Sequence, residues 1–381
     1  MRIAIVHEWL VTYAGSEKVL SEMLKDFPDA DLFCLVDFSK GQYRDRFFGK
    51  TFQTSFLQKL RPFAKIYRYF FPLMMMAVEQ FDLSKYDLII SNSHAVAKGV
   101  ITGPDQLHIS YCYTPMRYAW DLQNQYLREQ KFDGKPSGVL ARFLLHKARI
   151  WDVRTAHGVD HFIACSKYIG RRIAKVYKRS SDVIYPGVDT DYFQIGTSKE
   201  DYYFTSSRMV PYKKIPLIIE AFKHMPDKKL VVIGDGPQYK EALSKAGKNV
   251  SVLGYQDDKV LLKHMQSAKA FIFLAEEDFG ITPLEAQSCG TPVLAFGKGG
   301  ASETVIDGVT GLHFWSQTVE AICDVVDRFE KSTITFDPQT IRRHAETFSI
   351  PRFRTEFRAK VWELWDAHCK SNATISKKVI G

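Results

Sequence analysis

No stretch of this 381-residue chain approaches the roughly 20 consecutive apolar residues that a membrane-spanning helix needs. The longest runs, such as FFPLMMMAV at 70–78, fall far short. The six cysteines (34, 112, 165, 289, 323 and 369) are scattered, with no CxxC and no paired spacing. They read as reduced, mostly buried thiols in a cytosolic protein. There is no HExxH, no cysteine cluster and no GxxxxGK followed by Ser or Thr, so neither a zinc peptidase nor a P-loop nucleotidase is indicated. GxGxxG does not follow the first strand-like run; HEWLVTYAGSEK stands there instead, which argues against a nicotinamide-dependent oxidoreductase. His7 and Glu8 come directly after the first apolar run, so MRIAIVHEWL does not read as a secretory signal. Neither a repeat of fixed period nor a low-complexity segment occurs.

What the chain does have is an ordinary globular composition, 45% hydrophobic and 25% charged. Its length suits two or three domains. The net charge of +9 is one-sided: residues 1–185 carry 27 basic against 18 acidic side chains, and 186–381 carry 25 of each. A one-sided basic field faces nucleic acid, an anionic membrane surface or an acidic substrate. Short apolar runs alternate with helical patterns, predicting parallel sheets flanked by helices. In the first half the runs are 2–6, 31–36, 87–91, 108–113 and 161–166; in the second, 202–207, 229–234, 250–254, 270–275 and 291–296. Two sets of similar length predict an α/β protein of two doubly wound domains, 1–185 and 186–350, joined near VIYPGVDTDYF (183–193). An amphipathic helix after Pro351, over 351–381, carries 7 basic against 3 acidic residues, like the first half, and is expected to return to it. Ligands in such sheets bind beyond the carboxyl ends of the strands, which places the expected site in the cleft between the domains.

The most informative stretch is EEDFGITPLEAQSCG (276–290), directly after the strand-like AFIFLA. Thr282-Pro283-Leu284-Glu285 has the grammar of a helix start, with Thr as N-cap, Pro at N1 and Glu at N3. Glu285 therefore reads either as a capping carboxylate or as an acceptor of sugar hydroxyls, and the two are compatible. Gly280 permits close approach to the backbone, and the amides of 280–282, Ile281 and Thr282 among them, suit an anion. Cations for that anion are available in SSRMVPYKKIPLIIEAF (206–222): Arg208 just after a strand, and Lys213 expected to open the next helix. A lysine at a helix N-terminus opposes the dipole, an odd choice unless the residue has another use; an idle exposed lysine is the bland alternative. The pair suits a diphosphate, with Arg as a fork and Lys as a point charge.

Arg208-x4-Lys213, VIGDGP (232–237), Glu277-x7-Glu285, GTPVLAFGKGGASE (290–303) and PGVDTDYF (186–193) occur in that order. Together they resemble the retaining glycosyltransferases of family 4, whose GT-B fold sets two Rossmann-like domains face to face. The resemblance covers essentially the whole chain and is densest over 183–315. It implies that Glu277 bonds hydroxyls of the transferred sugar and Glu285 those of the ribose. By the same resemblance Arg208, Lys213 and the amides near Ile281 and Thr282 hold the diphosphate. HEWLVTYAGSEKVL (7–20) resembles the family's glycine-rich loop, its usual glycine pair reduced to Ala14-Gly15. A lone histidine reads as structural, but the resemblance places His94, in SNSHAVAKG (91–99), beside donor sugar and acceptor. No metal or other cofactor is implied: Asp189-Thr190-Asp191 matches the PGVDTD segment rather than a metal-binding DxD.

HISYCYTPMRYAWDLQNQYL (108–127) resembles a segment of bacterial O-antigen and exopolysaccharide mannosyl- or rhamnosyltransferases. It suggests GDP-mannose as donor, with GDP-rhamnose or a UDP-sugar as alternatives, and a lipid-linked glycan as acceptor. The basic aromatic stretch 56–76, with Lys59, Arg61, Lys65 and Arg68, reads either as a buried helix with snorkelling cations or as a peripheral contact with anionic lipid. RRIAKVYKR (171–179) is a candidate for the same surface, which would place the protein at the inner face of the plasma membrane. A nucleic-acid-binding protein using the basic half is the rival of another class; the resemblance implies no nucleic acid.

Overall fold

The computed structural model describes residues 1–59, 71–129, 132 and 135–380, with 374–380 as helix backbone only. Residues 60–70, which include Arg61, Lys65 and Arg68 of the basic aromatic stretch, lie outside the described residues. The chain divides into two compact units, Met1–Tyr185 with Phe353–Gly381, and Pro186–Arg352. Among the described residues no helix is long and apolar enough to cross a membrane.

The first unit runs β1 (Ile3–His7), α1 (Gly15–Asp26), β2 (Asp31–Cys34), β3 (Phe52–Thr54), α2 (Phe71–Glu79), β4 (Leu88–Ser93), β5 (Leu107–Cys112), α3 (Gln123–Glu129), α4 (Pro136–Ala156), β6 (His161–Ala164), α5 (Lys167–Tyr177) and β7 (Asp182–Val183). Its strands form one parallel sheet in the order β3-β2-β1-β4-β5-β6-β7. The central strands are buried on both faces, which is why they read as continuous apolar runs.

The second unit runs β8 (Tyr203–Ser206), α6 (Ile215–Lys223), β9 (Leu230–Ile233), α7 (Tyr239–Lys245), β10 (Val250–Val252), α8 (Asp258–Ser267), β11 (Ala270–Phe273), α9 (Ile281–Ser288), β12 (Val293–Phe296), α10 (Ala301–Thr304), β13 (Gly311–Phe314), α11 (Val319–Lys331) and α12 (Pro338–Glu346). Its parallel sheet has the order β10-β9-β8-β11-β12-β13. Alternation along the strands splits the core in two. Tyr203, Val232, Ile272 and Leu294 pack under α6 and α11, while Phe204, Ile233, Phe271 and Val293 face α8 and α9.

The last helix, α13 (Ile350–Ile380), starts one residue before Pro351 and from Phe353 onward belongs to the first unit. There Phe353 and Phe357 pack edge-on against Tyr111 (5.9 and 5.8 Å between ring centroids). Arg354 donates to the carboxylate of Asp26 at 2.8 Å. β3, β7 and β13 are additions to the strands expected from sequence. Each lies at a sheet edge, and none carries an unbroken apolar run.

Candidate functional site

In each unit the chain winds outward in one direction and then returns to the other side of its first strand. The resulting switch points, β1/β4 and β8/β11, are where ligands of doubly wound sheets bind, beyond the carboxyl ends of the strands. The residues singled out from sequence gather at these two places.

At the β8/β11 switch, Arg208 stands two residues past β8, exposed and with no ion-pair partner among the described residues. Its loop is laced to the one after β9: Met209 N–H donates to Asp235 O (2.8 Å) and Gln238 N–H to Met209 O (3.0 Å). Gly234 in VIGDGP has φ +138, and a Cβ there would run into the Ser207 carbonyl, so this glycine is what allows the Arg208 loop to pass. Lys213 does not open an α-helix. It ends a single 3-10 turn, Pro211–Lys213; Lys214 then takes a left-handed conformation (φ +58), and α6 starts only at Ile215. This kink removes the conflict between Lys213 and the dipole of α6. It also turns the ammonium to Glu277, with which Lys213 forms an ion pair, the two side chains 14% and 17% exposed. The same ammonium lies 5.8 Å from the ring centroid of Phe273, at the end of β11.

Glu277 is held from behind: Gly300 N–H donates to its carbonyl at 2.8 Å, and Gly299 bridges to it, so the GKGG segment after β12 braces this loop. Thr282 is not the cap of the following helix. α9 begins at Ile281 with Gly280 as N-cap at φ +83 and no side-chain cap bond. A left-handed glycine makes the turn, and the helix therefore starts two residues before the Thr-Pro-x-Glu grammar indicates. Pro283 becomes the third helical residue, where a missing N–H costs no helical bond. Of the first three helical positions only Ile281 and Thr282 carry an N–H, and neither has an acceptor within the helix. Glu285 falls beyond the position a capping box requires; it is buried, 8% exposed, one turn along α9.

At the β1/β4 switch, Gly15 is the first residue of α1, with open space where a Cβ would stand. His94 directly follows β4, half-buried, edge-on to Trp9 (4.8 Å between centroids). Its Nδ1 is buried with no hydrogen-bond partner. The loop carrying it is organised by Glu8, which is completely buried. Glu8 accepts from the amides of His94 (2.9 Å), Ala95 (2.6 Å), Val96 (2.9 Å) and Ala97 (3.1 Å), and from Ser93 Oγ (3.2 Å). Burial alone would raise the Glu8 carboxyl; the His94 imidazole and these amides outweigh it and hold it below the usual range. Burial pushes the His94 pKa down, against the opposing pull of the Glu8 carboxylate. Beside them His7 bonds Glu17 (3.2 Å), and Asn92 bridges His7 (3.1 Å) and the Ser16 carbonyl (3.2 Å). Glu17 also caps α1 by accepting from Ala14 N–H (3.0 Å), so one network ties the Gly15 turn to the end of β4.

Sequence reasoning missed Glu8 and Glu17 as supports. The available signal was HEW itself, an ionisable residue placed where an apolar strand ends. The Asp189–Asp191 segment is a turn: Asp189 accepts from Tyr192 N–H (3.0 Å), and Arg342 donates to the Thr190 carbonyl (2.9 Å).

Two family models match the chain, "Glycosyltransferase Family 4" over residues 58–192 and "Glycosyl transferases group 1" over 189–345. Among curated relatives, a GDP-mannose-dependent alpha-(1-6)-phosphatidylinositol monomannoside mannosyltransferase of Mycolicibacterium smegmatis is 30% identical over 205 residues, covering 45% of this chain and 53% of that protein. A D-inositol 3-phosphate glycosyltransferase of Mycobacterium sp. (strain JLS) is 28% identical over 227 residues, 52% of this chain and 51% of that protein. The match thus spans only about half the length of these curated relatives. Among solved structures, the Anabaena protein HepE in complex with UDP superposes with a TM-score of 0.71 at 16% identity, over 95% of this chain and all of that one. With its two all-parallel Rossmann-like sheets, and with the two family models tiling residues 58–345, the chain belongs to the group 1 and family 4 glycosyltransferases of the GT-B fold.

Proposed function

We propose that this glycosyltransferase moves a hexosyl unit, with retention, from a nucleoside-diphosphate sugar to a hydroxyl of a lipid-linked glycan, in the synthesis of a bacterial surface polysaccharide. The observation that carries the reading is the β8/β11 switch point. The Lys213–Glu277 ion pair, the exposed Arg208 and the Ile281 and Thr282 amides all lie on the segments that follow these two adjacent strands. Cations and amides suit a diphosphate; the carboxylates of Glu277 and Glu285 suit hydroxyls of the sugar and the ribose on either side of it. GDP-mannose is the donor we favour, in line with the name of the mycobacterial relative. GDP-rhamnose and UDP-sugars are the alternatives, HepE having been solved with UDP-glucose.

In this reaction the bond from the anomeric carbon to the diphosphate oxygen breaks, and a bond from the acceptor oxygen forms on the same face. The acceptor proton passes to the departing diphosphate. The chain's own contribution is leaving-group stabilisation by Arg208, Lys213 and the two helix amides. His94 is the first unit's candidate contact to the acceptor. No metal is assigned a role. We place the protein in the cytoplasm, in peripheral contact with the inner face of the plasma membrane through its basic first half.

The test is release of nucleoside diphosphate from GDP-mannose, GDP-rhamnose, UDP-glucose, UDP-N-acetylglucosamine and UDP-galactose, each with and without EDTA. One donor turned over in EDTA, and silenced by Glu277→Ala, supports the reading. Turnover that needs a divalent ion, or that survives Glu277→Ala, refutes it.

A further inference from the structure

α4 buries one face and leaves the other uncovered. Ala148, Asp152, Thr155 and Ala156 point into the first unit and are buried. On the outer face Val139, Leu140, Phe143 and Ile150 are 70%, 59%, 54% and 53% exposed. Single exposed apolar residues are ordinary, but Val139, Leu140, Phe143 and Ile150 fall within one arc of about 100° around the helix and form a patch that marks an interaction surface. At 21 residues the helix is about 31 Å long.

The charge around this patch selects its occupant. Arg142 and His146 flank it, and Lys147 lies within it, its ammonium 5.5 Å from the Phe143 ring centroid. The single acidic residue of α4, Asp152, is turned inward and ion-paired with Lys98 at 2.6 Å. A second copy docking here by two-fold symmetry would bring the same cations, Lys147 and Arg142, into the interface from both sides, and lysine is depleted from protein interface cores. A lipid surface meets both demands: the apolar side chains enter the acyl boundary while the cations meet headgroup phosphates. The basic segment 171–179 turns at least two of its arginines to partners within the unit. Arg172 donates to Asp121 at 2.6 Å, and Arg179 to the Asp160 carbonyl at 2.7 Å.

We infer that α4 lies flat on an anionic lipid surface, with Leu140 and Phe143 inserted and Lys147 at the level of the phosphates. This deepens the membrane side of the proposed function and rests on it, while being independent of the donor.

The experiment is flotation of the full chain with vesicles of phosphatidylcholine alone and of phosphatidylcholine with phosphatidylglycerol, without nucleotide sugar. Wild type is expected to float with the anionic vesicles and to be largely released by salt. Leu140→Asp with Phe143→Asp should weaken that binding roughly a hundredfold, at about tenfold per side chain. Lys147→Glu should remove the preference for the anionic vesicles. Circular dichroism and donor turnover without acceptor should stay at wild-type levels, because these side chains are solvent-exposed and remote in sequence from the nucleotide-binding residues. The inference is overturned if wild type ignores both vesicle types, or if the double variant floats as well as wild type. It is equally overturned if sedimentation velocity finds a dimer that the double variant dissolves. Any of these results leaves the reading of the nucleotide site standing.

Discussion

Lys213→Ala removes the ammonium that the structure pairs with Glu277, in a spot where both side chains are less than a fifth exposed. At such a site, losing one preorganised charge that stabilises a leaving group costs about 2.7–4 kcal/mol, a 10²–10³ loss of turnover. Glu277→Ala removes the other partner, and with it the proposed contact to the sugar. Because the two groups touch, part of what each substitution removes is shared. The double variant should therefore lose less than the product of the single losses, with a coupling of about 1–3 kcal/mol. The assay is initial-rate release of nucleoside diphosphate from wild type and the three variants, with thermal melts to confirm that each is folded. Lys213→Ala retaining more than half of the turnover would refute the assignment. Single losses that simply multiply, to within about 0.5 kcal/mol, would refute the pairing as a functional unit.

Other outcomes follow from the same geometry. Arg208→Ala should cut turnover by about 10²–10³ with little change in melting temperature, since the side chain is exposed; a folded variant with near-normal turnover contradicts this. Glu8→Gln should destabilise the protein by roughly 3–5 kcal/mol in urea titrations, because a buried carboxylate accepting from four successive amides has no neutral substitute; a loss under about 1 kcal/mol would show that the loop does not depend on the charge. His108, fully buried in β5, bonds Ser91 Oγ (2.8 Å) and donates from Nδ1 to the Gly158 carbonyl (3.1 Å). Burial lowers its pKa from 6.5 to about 4. The folded form then binds fewer protons than the unfolded one, so this stability is present above pH 6.5 and is lost as pH falls through about 4. The full loss is about 3 kcal/mol, and Glu8 and His94, both shifted down, act in the same direction. A flat stability profile across that window contradicts the buried neutral imidazole.

The central strands were legible because parallel strands covered on both faces must be apolar throughout; β1, β4, β8 and β11 announce themselves in this way. β3, β7 and β13 did not, because an edge strand needs no continuous apolar run. In β13 a glycine breaks the pattern for a reason visible only in three dimensions, the β12 backbone passing at Val293. Thr282 misled because local grammar describes a helix start in isolation, whereas Gly280 at φ +83 had already turned the chain into α9. Lys213 drew notice as a lysine in the wrong place for a helix start. The kink at Lys214 that resolves the conflict is a left-handed non-glycine conformation no pattern signals. Glu8 was hidden for another reason. Its partners are backbone amides 86 to 89 residues away in sequence, and amides carry no side-chain signature.

The central assignment is the β8/β11 switch point as a nucleoside-diphosphate site. Its most direct test is calorimetric titration of GDP and of UDP into wild type, Arg208→Ala and Lys213→Ala in the presence of EDTA. Wild type is expected to bind one of the two nucleotides one-to-one, with binding weakened at least tenfold in each variant. Binding of neither nucleotide by wild type, or equal binding by all three proteins, would contradict it.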